Sequence, residues 1–241
     1  MRILTALLLL FAAACQRGPE AAAQAKAAVA QPANLRPVLV ELFTSQGCNS
    51  CPPADEFLGR LSHEPGIVAI SRPVTTWDRF GWRDTLAREE NTQLQERYSA
   101  RNHEEGYTPQ AVVQGRVMLV GGREGAVHRA IDEYRAAAGA PPTLRVEHGA
   151  LMLDGVAAAP VEIRLLALRS RVSVPIARGE NGGRTVDYIN VVVGETALGN
   201  WRGGPLRLPI PAARLHVAGA DRYAVIVQEP GAGRVITASY L

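Results

Sequence analysis

The sequence predicts an α/β domain followed by a mainly antiparallel, sandwich-like β domain, and three observations predict it. The apolar run Val38-Leu39-Val40-Glu41-Leu42-Phe43 opens a stretch in which strand-like and helix-like patterns alternate. Ala140-Pro141-Pro142 then breaks the pattern as a domain boundary. From Thr143 the helical periodicity stops, and short apolar runs alternate with turns rich in Gly and Pro. The expected domains are residues 36–140 and 141–241.

The first domain starts with a strand buried on both faces, since its run is nearly all apolar. Thr44 to Gly47 form a turn, and Cys48-Asn49-Ser50-Cys51 follows. Ala54, Phe57, Leu58 and Leu61 fall at i, i+3, i+4 and i+7, which is one face of a helix. Ile67-Val68-Ala69-Ile70 is the next strand. Asp84 caps a polar helix running to about His103. Ala111-Val112-Val113 and Val117-Met118-Leu119-Val120 flank Gln114-Gly115-Arg116 as a hairpin, and Val127, Ala130, Ile131 and Tyr134 mark a last helix. Strand, CxxC, helix, strand, helix, X-Pro, hairpin, helix is the element order of a thioredoxin-like fold.

Ahead of this domain the sequence reads as an export signal. Arg2 is a minimal positive region, and Ile3 to Phe11 are apolar but too few to span a bilayer. Ala12-Ala13-Ala14-Cys15 resembles a lipobox, which implies cleavage before Cys15 and acylation of its thiol; Ala12-x-Ala14 also suits an ordinary signal peptidase. Residues 1–15 are therefore expected to be a lipoprotein-type signal, and residues 16–35, Ala- and Gln-rich without apolar periodicity, a tether. The expected location is the periplasm, on a membrane through Cys15, or else secreted in soluble form.

The three cysteines are an odd number for an oxidising compartment. With Cys15 lipidated, Cys48 and Cys51 remain as one pair. A disulfide between them closes too small a loop to staple a domain, because the entropic gain grows with the logarithm of loop length. Chemistry is the better use of that spacing. At a helix N-terminus the dipole lowers a thiol pKa and favours the nucleophilic thiolate. Cys48 is expected to be the exposed attacking sulfur and Cys51 the resolving one. Three uses of the pair stay open: a redox dithiol, a stable local disulfide, or a metal site. His63, His103, His128, His148 and His216 are scattered singly, so no second zinc-ligand pair stands beside it.

Glu41 lies within the buried-strand pattern, where a carboxylate must be paired or protonated. It offers a proton relay to Cys51, or a polar contact at a pocket or domain interface. Pro109 follows Thr108 ahead of a strand, where a cis bond would face the cysteines and leave a backbone edge for a substrate strand; the plain alternative is an edge-strand proline. Trp77, Phe80 and Trp82 read as local core before a ligand platform, Asp78 and Asp84 as turn and cap residues before acids, and Arg178 to Asn181 first as a sandwich loop and second as a contact across to the first domain.

VELFTSQGCNSCPPAD (Val40 to Asp55), WDRFGWRD (Trp77 to Asp84), YTPQAVVQGR (Tyr107 to Arg116), RGENGGR (Arg178 to Arg184) and GNWRGG (Gly199 to Gly204) resemble the bacterial thioredoxin-like family catalogued as domain of unknown function 1223. The resemblance runs from Pro37 to Leu241. It implies a thioredoxin-like fold with an appended β domain and export, and supplies no substrate. Pro73 to Thr76 stand where members often carry a His and an Asp, so any help from those groups is missing here.

The functional expectation is an envelope thiol–disulfide oxidoreductase, with Cys48 as nucleophile, Cys51 as resolving thiol, and Pro109 and Glu41 assisting. Its partners would be protein thiols or disulfides, and no cofactor is called for. The net charge of +3 is spread without basic runs, which argues against nucleic acid. The competing classes are a binding module with a structural disulfide and a Cu(I) carrier, since soft thiolates suit that ion.

Overall fold

The computed structural model describes residues 35–137 and 139–241. The signal peptide, Cys15 and nearly all of the tether lie outside the described residues.

Each element expected of the first segment is present. Strand β1 (Val38–Thr44) leads into helix α1 (Pro52–Leu61) and strand β2 (Ile67–Pro73). Helix α2 (Glu89–Asn102), the hairpin β3 (Gln110–Val113) and β4 (Val117–Val120), and helix α3 (Glu124–Ala136) follow. β1 pairs parallel with β2 and antiparallel with β3. Side chains alternate across a strand. Val38, Val40 and Leu42 accordingly share one core with Phe57, Leu58 and Leu61 of α1 and with Val127 and Ile131 of α3. One expectation shifts: α2 begins at Glu89, and Asp84 instead caps a short turn through the amides of Leu86 and Ala87 at 2.8 and 3.0 Å.

The second segment supplies β5 (Thr143–Glu147), β6 (Ala150–Asp154), β7 (Val161–Pro175), β8 (Thr185–Trp201), β9 (Leu206–Pro209), β10 (Arg222–Gln228) and β11 (Val235–Tyr240). β5, β6 and β9 form a small sheet of three strands. This small sheet packs on one face of the other four, with Leu151 and Leu153 of β6 against Ile163 and Leu165 of β7 and Val225 and Val227 of β10, so the pairing of two sheets is sandwich-like, but the larger sheet is not confined to the second segment. The four strands join the first segment in one mainly antiparallel eight-stranded sheet, ordered β11-β10-β7-β8-β2-β1-β3-β4, and the described residues form one compact unit. The join is the parallel pairing of β2 with β8 at Ser71 and Val191.

The physical reason for the merger is the second face of β1 and β2. Leu39, Val68 and Ile70 point away from α1, and they are buried against Leu166, Leu168, Ala224, Ile226, Val235 and Ala238. A strand apolar on both faces needs two covering layers. Helices supply one here, and strands of the second segment supply much of the other. Polar side chains finish the seam: Asn190 donates to the Ala69 carbonyl at 2.9 Å, and Gln114 donates to the Val235 carbonyl at 3.1 Å.

Glu41 lies on this second face, not on the face of α1. It is fully buried and accepts hydrogen bonds from Arg72 Nε at 2.5 Å and from the Tyr98 hydroxyl at 2.6 Å. Arg72, also buried, reaches Glu195 of β8 at 3.0 Å, and Glu195 in turn pairs with Arg164 of β7. Burial opposes the charge on Arg72, but Glu41 and Glu195 together hold its pKa above the ordinary value. The relay role expected of Glu41 is thus replaced by an interface role.

Removing one partner of a buried ion pair leaves the other charge uncompensated, at about 3–5 kcal/mol. Arg72→Leu should lower unfolding stability by that amount. The double variant Arg72→Leu/Glu41→Leu should lose less than the sum of the two single changes. Urea unfolding at constant slope checks both.

Candidate functional site

α1 starts directly after the cysteines because of its prolines. Pro52 and Pro53 occupy the first helical positions, where an N–H would lack an intrahelical partner in any case. Cys51 is the N-cap, already in helical geometry, and its carbonyl accepts from the Ala54 and Asp55 amides at 2.9 and 3.0 Å. The prolines have a chemical consequence. They withhold two of the amide donors that a helix N-terminus normally offers a thiolate, so the dipole acts with less direct hydrogen bonding. The Ser50 hydroxyl lies 3.4 Å from the Cys48 sulfur and can take up part of that role.

Cys48 and Cys51 are joined as a disulfide, with Cα atoms 5.4 Å apart. Cys48 was expected to be exposed, yet both cysteines are completely buried, while Asn49 and Ser50 between them are exposed. Part of the surroundings comes from the second segment, where β8 has 17 residues, roughly 55 Å of strand at ~3.3 Å per residue, and forms a long ribbon with β7. Its loop, residues 176–184, lands on the CxxC turn. Asn181 donates to the carbonyls of Gln46 at 3.0 Å and Cys48 at 2.8 Å, and Arg184 holds its side-chain oxygen at 3.1 Å. Glu180 accepts from the Asn49 amide at 3.3 Å. The segment expected to be an ordinary sandwich loop is therefore one wall of this site.

A second wall comes from the connection between β2 and α2. A Cβ on Gly47 would sit 2.9 Å from that of Trp77, so only glycine admits the indole there. Trp77 donates to the Thr108 hydroxyl at 2.8 Å and stacks at a tilt on Phe80, which is largely exposed. Trp82 donates to Gln46 at 2.8 Å. These aromatics tie the loops around the disulfide together and are more than local core.

Pro109 follows a cis bond from Thr108 and precedes β3, an interior strand of the sheet. Its carbonyl accepts from the Gly121 amide at 2.9 Å. A Cβ on Gly121 would lie 3.3 Å from both Ala54 of α1 and Pro109, which places Pro109 beside the first turn of α1. Cys48 and Cys51 are bonded to each other and Pro109 lies beside the turn of α1 that follows them, whereas Glu41 is engaged elsewhere, with Arg72 and Tyr98.

Two buried carboxyls were not singled out as site residues from the sequence. Asp55 accepts from the Thr44 hydroxyl at 3.0 Å through one oxygen, and its other oxygen has no partner among the described residues. Burial pushes its carboxyl well above the ordinary range; Thr44 pulls part of the way back, and Asp84 adds to the rise. Asp84 is raised as well, by burial first, although the amides of Gln46, Leu86 and Ala87 bond to it. The Tyr188 hydroxyl of β8 is buried without a partner, and its pKa is raised by burial and then by Asp55 and Asp84. The helical pattern held a signal for Asp55, because a residue four after Cys51 shares its helix face. Tyr188 carried none, as it arrives through the long hairpin, whereas Asn181 stands in a segment whose second reading was a contact across to the first domain. Among the described residues no group of three or more His, Cys, Asp or Glu is placed to hold a metal ion.

The family described as "Protein of unknown function (DUF1223)" matches residues 39–228. The chain belongs to this family. A crystal structure of an Agrobacterium tumefaciens protein superposes with a TM-score of 0.74 at 27% identity, covering 86% of this chain and 94% of that one. HBP35 of Porphyromonas gingivalis has a similar fold, with a TM-score of 0.58 at 13% identity over 86% of this chain and 75% of that one. A "Probable Thioredoxin" of Archaeoglobus fulgidus is 41% identical over 39 residues, 16% of this chain and 43% of that protein. The chain thus spans less than half the length of that curated relative.

Asn181→Ala removes two hydrogen bonds that hold the covering loop, each worth about 0.5–1.5 kcal/mol. The disulfide should then be reduced about tenfold faster by dithiothreitol, since ~1.4 kcal/mol corresponds to tenfold. Thiol release followed over time checks this, and an unchanged rate would mean that the loop is no barrier.

Proposed function

We propose that this chain is a thiol–disulfide exchange protein of the cell envelope whose first segment is thioredoxin-like. Cys48 is the attacking thiol, Cys51 resolves the mixed disulfide, and Pro109 shapes the side on which a substrate strand lies. One observation carries the reading: the Cys48–Cys51 disulfide closes a minimal loop between a buried strand and a helix N-terminus. A cross-link over so short a loop adds little stability, whereas that position favours thiolate. The short stretch of identity with a "Probable Thioredoxin" and membership in a family of unassigned activity are compatible with it.

On this reading the chain is exported and held at a membrane by lipid on Cys15. Its partners are protein thiols or disulfides in the envelope, and the chemistry needs no cofactor. The covering loop makes exchange conditional on its displacement, since neither sulfur is accessible with Asn181 in place.

The reduction potential of the protein tests the reading. Exchange proteins lie at about −120 to −270 mV, and structural disulfides below about −300 mV. The expected value is in the first range, and Cys51→Ser should accumulate mixed disulfides through Cys48 in envelope extracts. A value below the second limit, with no adducts on Cys51→Ser, would make the bond structural.

A further inference from the structure

The disulfide is sealed from water, and that raises a question of proton supply. Reduction of Cys48–Cys51 must deliver a proton to the resolving sulfur, and ring closure must take one away. Both cysteines are fully buried, and the partner thiol needs to reach only Cys48. A proton acceptor held beside Cys51 would serve the sulfur that the partner does not touch.

Resting on the exchange reading above, we propose that Asp55 is the internal proton acceptor and donor for Cys51. The placement follows from helix geometry. Cys51 already has helical dihedrals, and the Asp55 amide bonds to its carbonyl at 3.0 Å, so the two side chains lie on one helix face. Helical side chains lean toward the N-terminus, which tips the Asp55 carboxyl back toward Cys51. Thr44, the last residue of β1, fixes one carboxyl oxygen at 3.0 Å, and the other is buried without a partner. A buried carboxyl oxygen with nothing to bond is costly unless it carries or receives a proton.

The charged and titratable groups around it bear this out. On its own helix Cys51 lies one turn back, joined to it by the backbone hydrogen bond. The segment before α2 contributes Asp84, with Asp78 behind it, and β8 contributes Tyr188. The β7–β8 loop brings Glu180 and Arg184, both engaged with Asn49 and Asn181. No ion pair reaches Asp55 among the described residues.

In ring closure Cys51–SH gives its proton to the Asp55 carboxylate, and the new thiolate attacks the Cys48 sulfur of a Cys48–S–S–R mixed disulfide. The Cys48–Cys51 bond forms, the S–R bond breaks, and RS⁻ leaves with the electron pair. Reduction by an external thiolate runs the same steps in reverse, with the Asp55 carboxylic acid protonating the departing Cys51 sulfur.

The test titrates the Asp55 carboxyl by carbon-13 NMR in the full chain, in the disulfide state and after reduction by a phosphine, with Asp55→Asn assigning the signal. Thiolate formed near the carboxyl should raise its midpoint in the dithiol state by about one unit. Equal midpoints in the two states overturn the proposal. Closure of a Cys48–glutathione adduct is the second measurement. Asp55→Asn should slow it at least about tenfold near neutral pH and flatten its pH profile, with Asp55→Glu recovering part of the rate. Identical rates and profiles overturn the proposal. If the wild-type chain forms no adduct at all, the exchange reading fails by itself, and the two midpoints still decide whether Asp55 and the dithiol are coupled.

Discussion

Arg72 is a guanidinium with almost no solvent exposure, and the fold can exist only where its charge is answered. Two carboxylates answer it: Glu41 on β1, next to it in the sheet, and Glu195 on β8, more than 120 residues further along the chain. Such a pair is weak as a source of net stability, because desolvation consumes most of the Coulomb energy. It is strong as a condition. Any arrangement that separates β2 from β8 strands a buried charge, so the network makes the two segments fold against each other. Tyr98 of α2 and Gln228 of β10 close it, bonded at 2.6 and 2.8 Å, and with Arg164 of β7 they bring three more elements, α2, β10 and β7, under the same constraint.

The disulfide depends on that constraint at one remove. Register between β2 and β8 sets where the β7–β8 ribbon ends, and a one-residue slip would also turn its side chains to the other face. With the register held, Asn181 meets the carbonyls of Gln46 and Cys48 and Tyr188 faces Asp55 and Asp84. The cysteines come from the first segment, and their cover and part of their electrostatic surroundings come from the second. This gives the appended strands a reason to be there that a free-standing sandwich would not have.

How much of this was legible in the sequence divides along the range of the interactions. β1, α1, the hairpin and α3 are written in local periodicity, so the element order of the first segment could be read directly. The start of α1 could be read from Pro52 and Pro53, whose missing N–H groups suit only the first turn. Glu41 is legible as a buried carboxylate, and of its two readings, relay to Cys51 or contact at a domain interface, the structure selects the second; alternation along a strand places it on a face without saying what covers that face. The apolar runs of β7, β10 and β11 look the same whether they pair with each other or with an older sheet. That ambiguity produced the expectation of a separate sandwich. The exposure of Cys48 failed for the same reason: nothing local to residues 48–51 mentions a loop at residue 181.

Burial of the sulfurs and placement of the helix dipole pull in opposite directions, and the balance shapes the chemistry open to the site. A desolvated thiolate is penalised, Pro52 and Pro53 withhold donors that would offset the penalty, and Glu180 adds a negative charge beside the CxxC backbone. The positive end of α1 and the Ser50 hydroxyl act the other way. In the covered state a neutral disulfide is therefore favoured over a charged dithiolate, and on the proposed role of Asp55 its proton would pass to Cys51 on reduction and leave that sulfur neutral. On the exchange reading, lifting the loop would remove the desolvation penalty on a Cys48 thiolate and open a path to the sulfur in the same movement. Access and nucleophilicity would then be coupled through the β7–β8 loop, which is held on the CxxC turn by hydrogen bonds centred on Asn181.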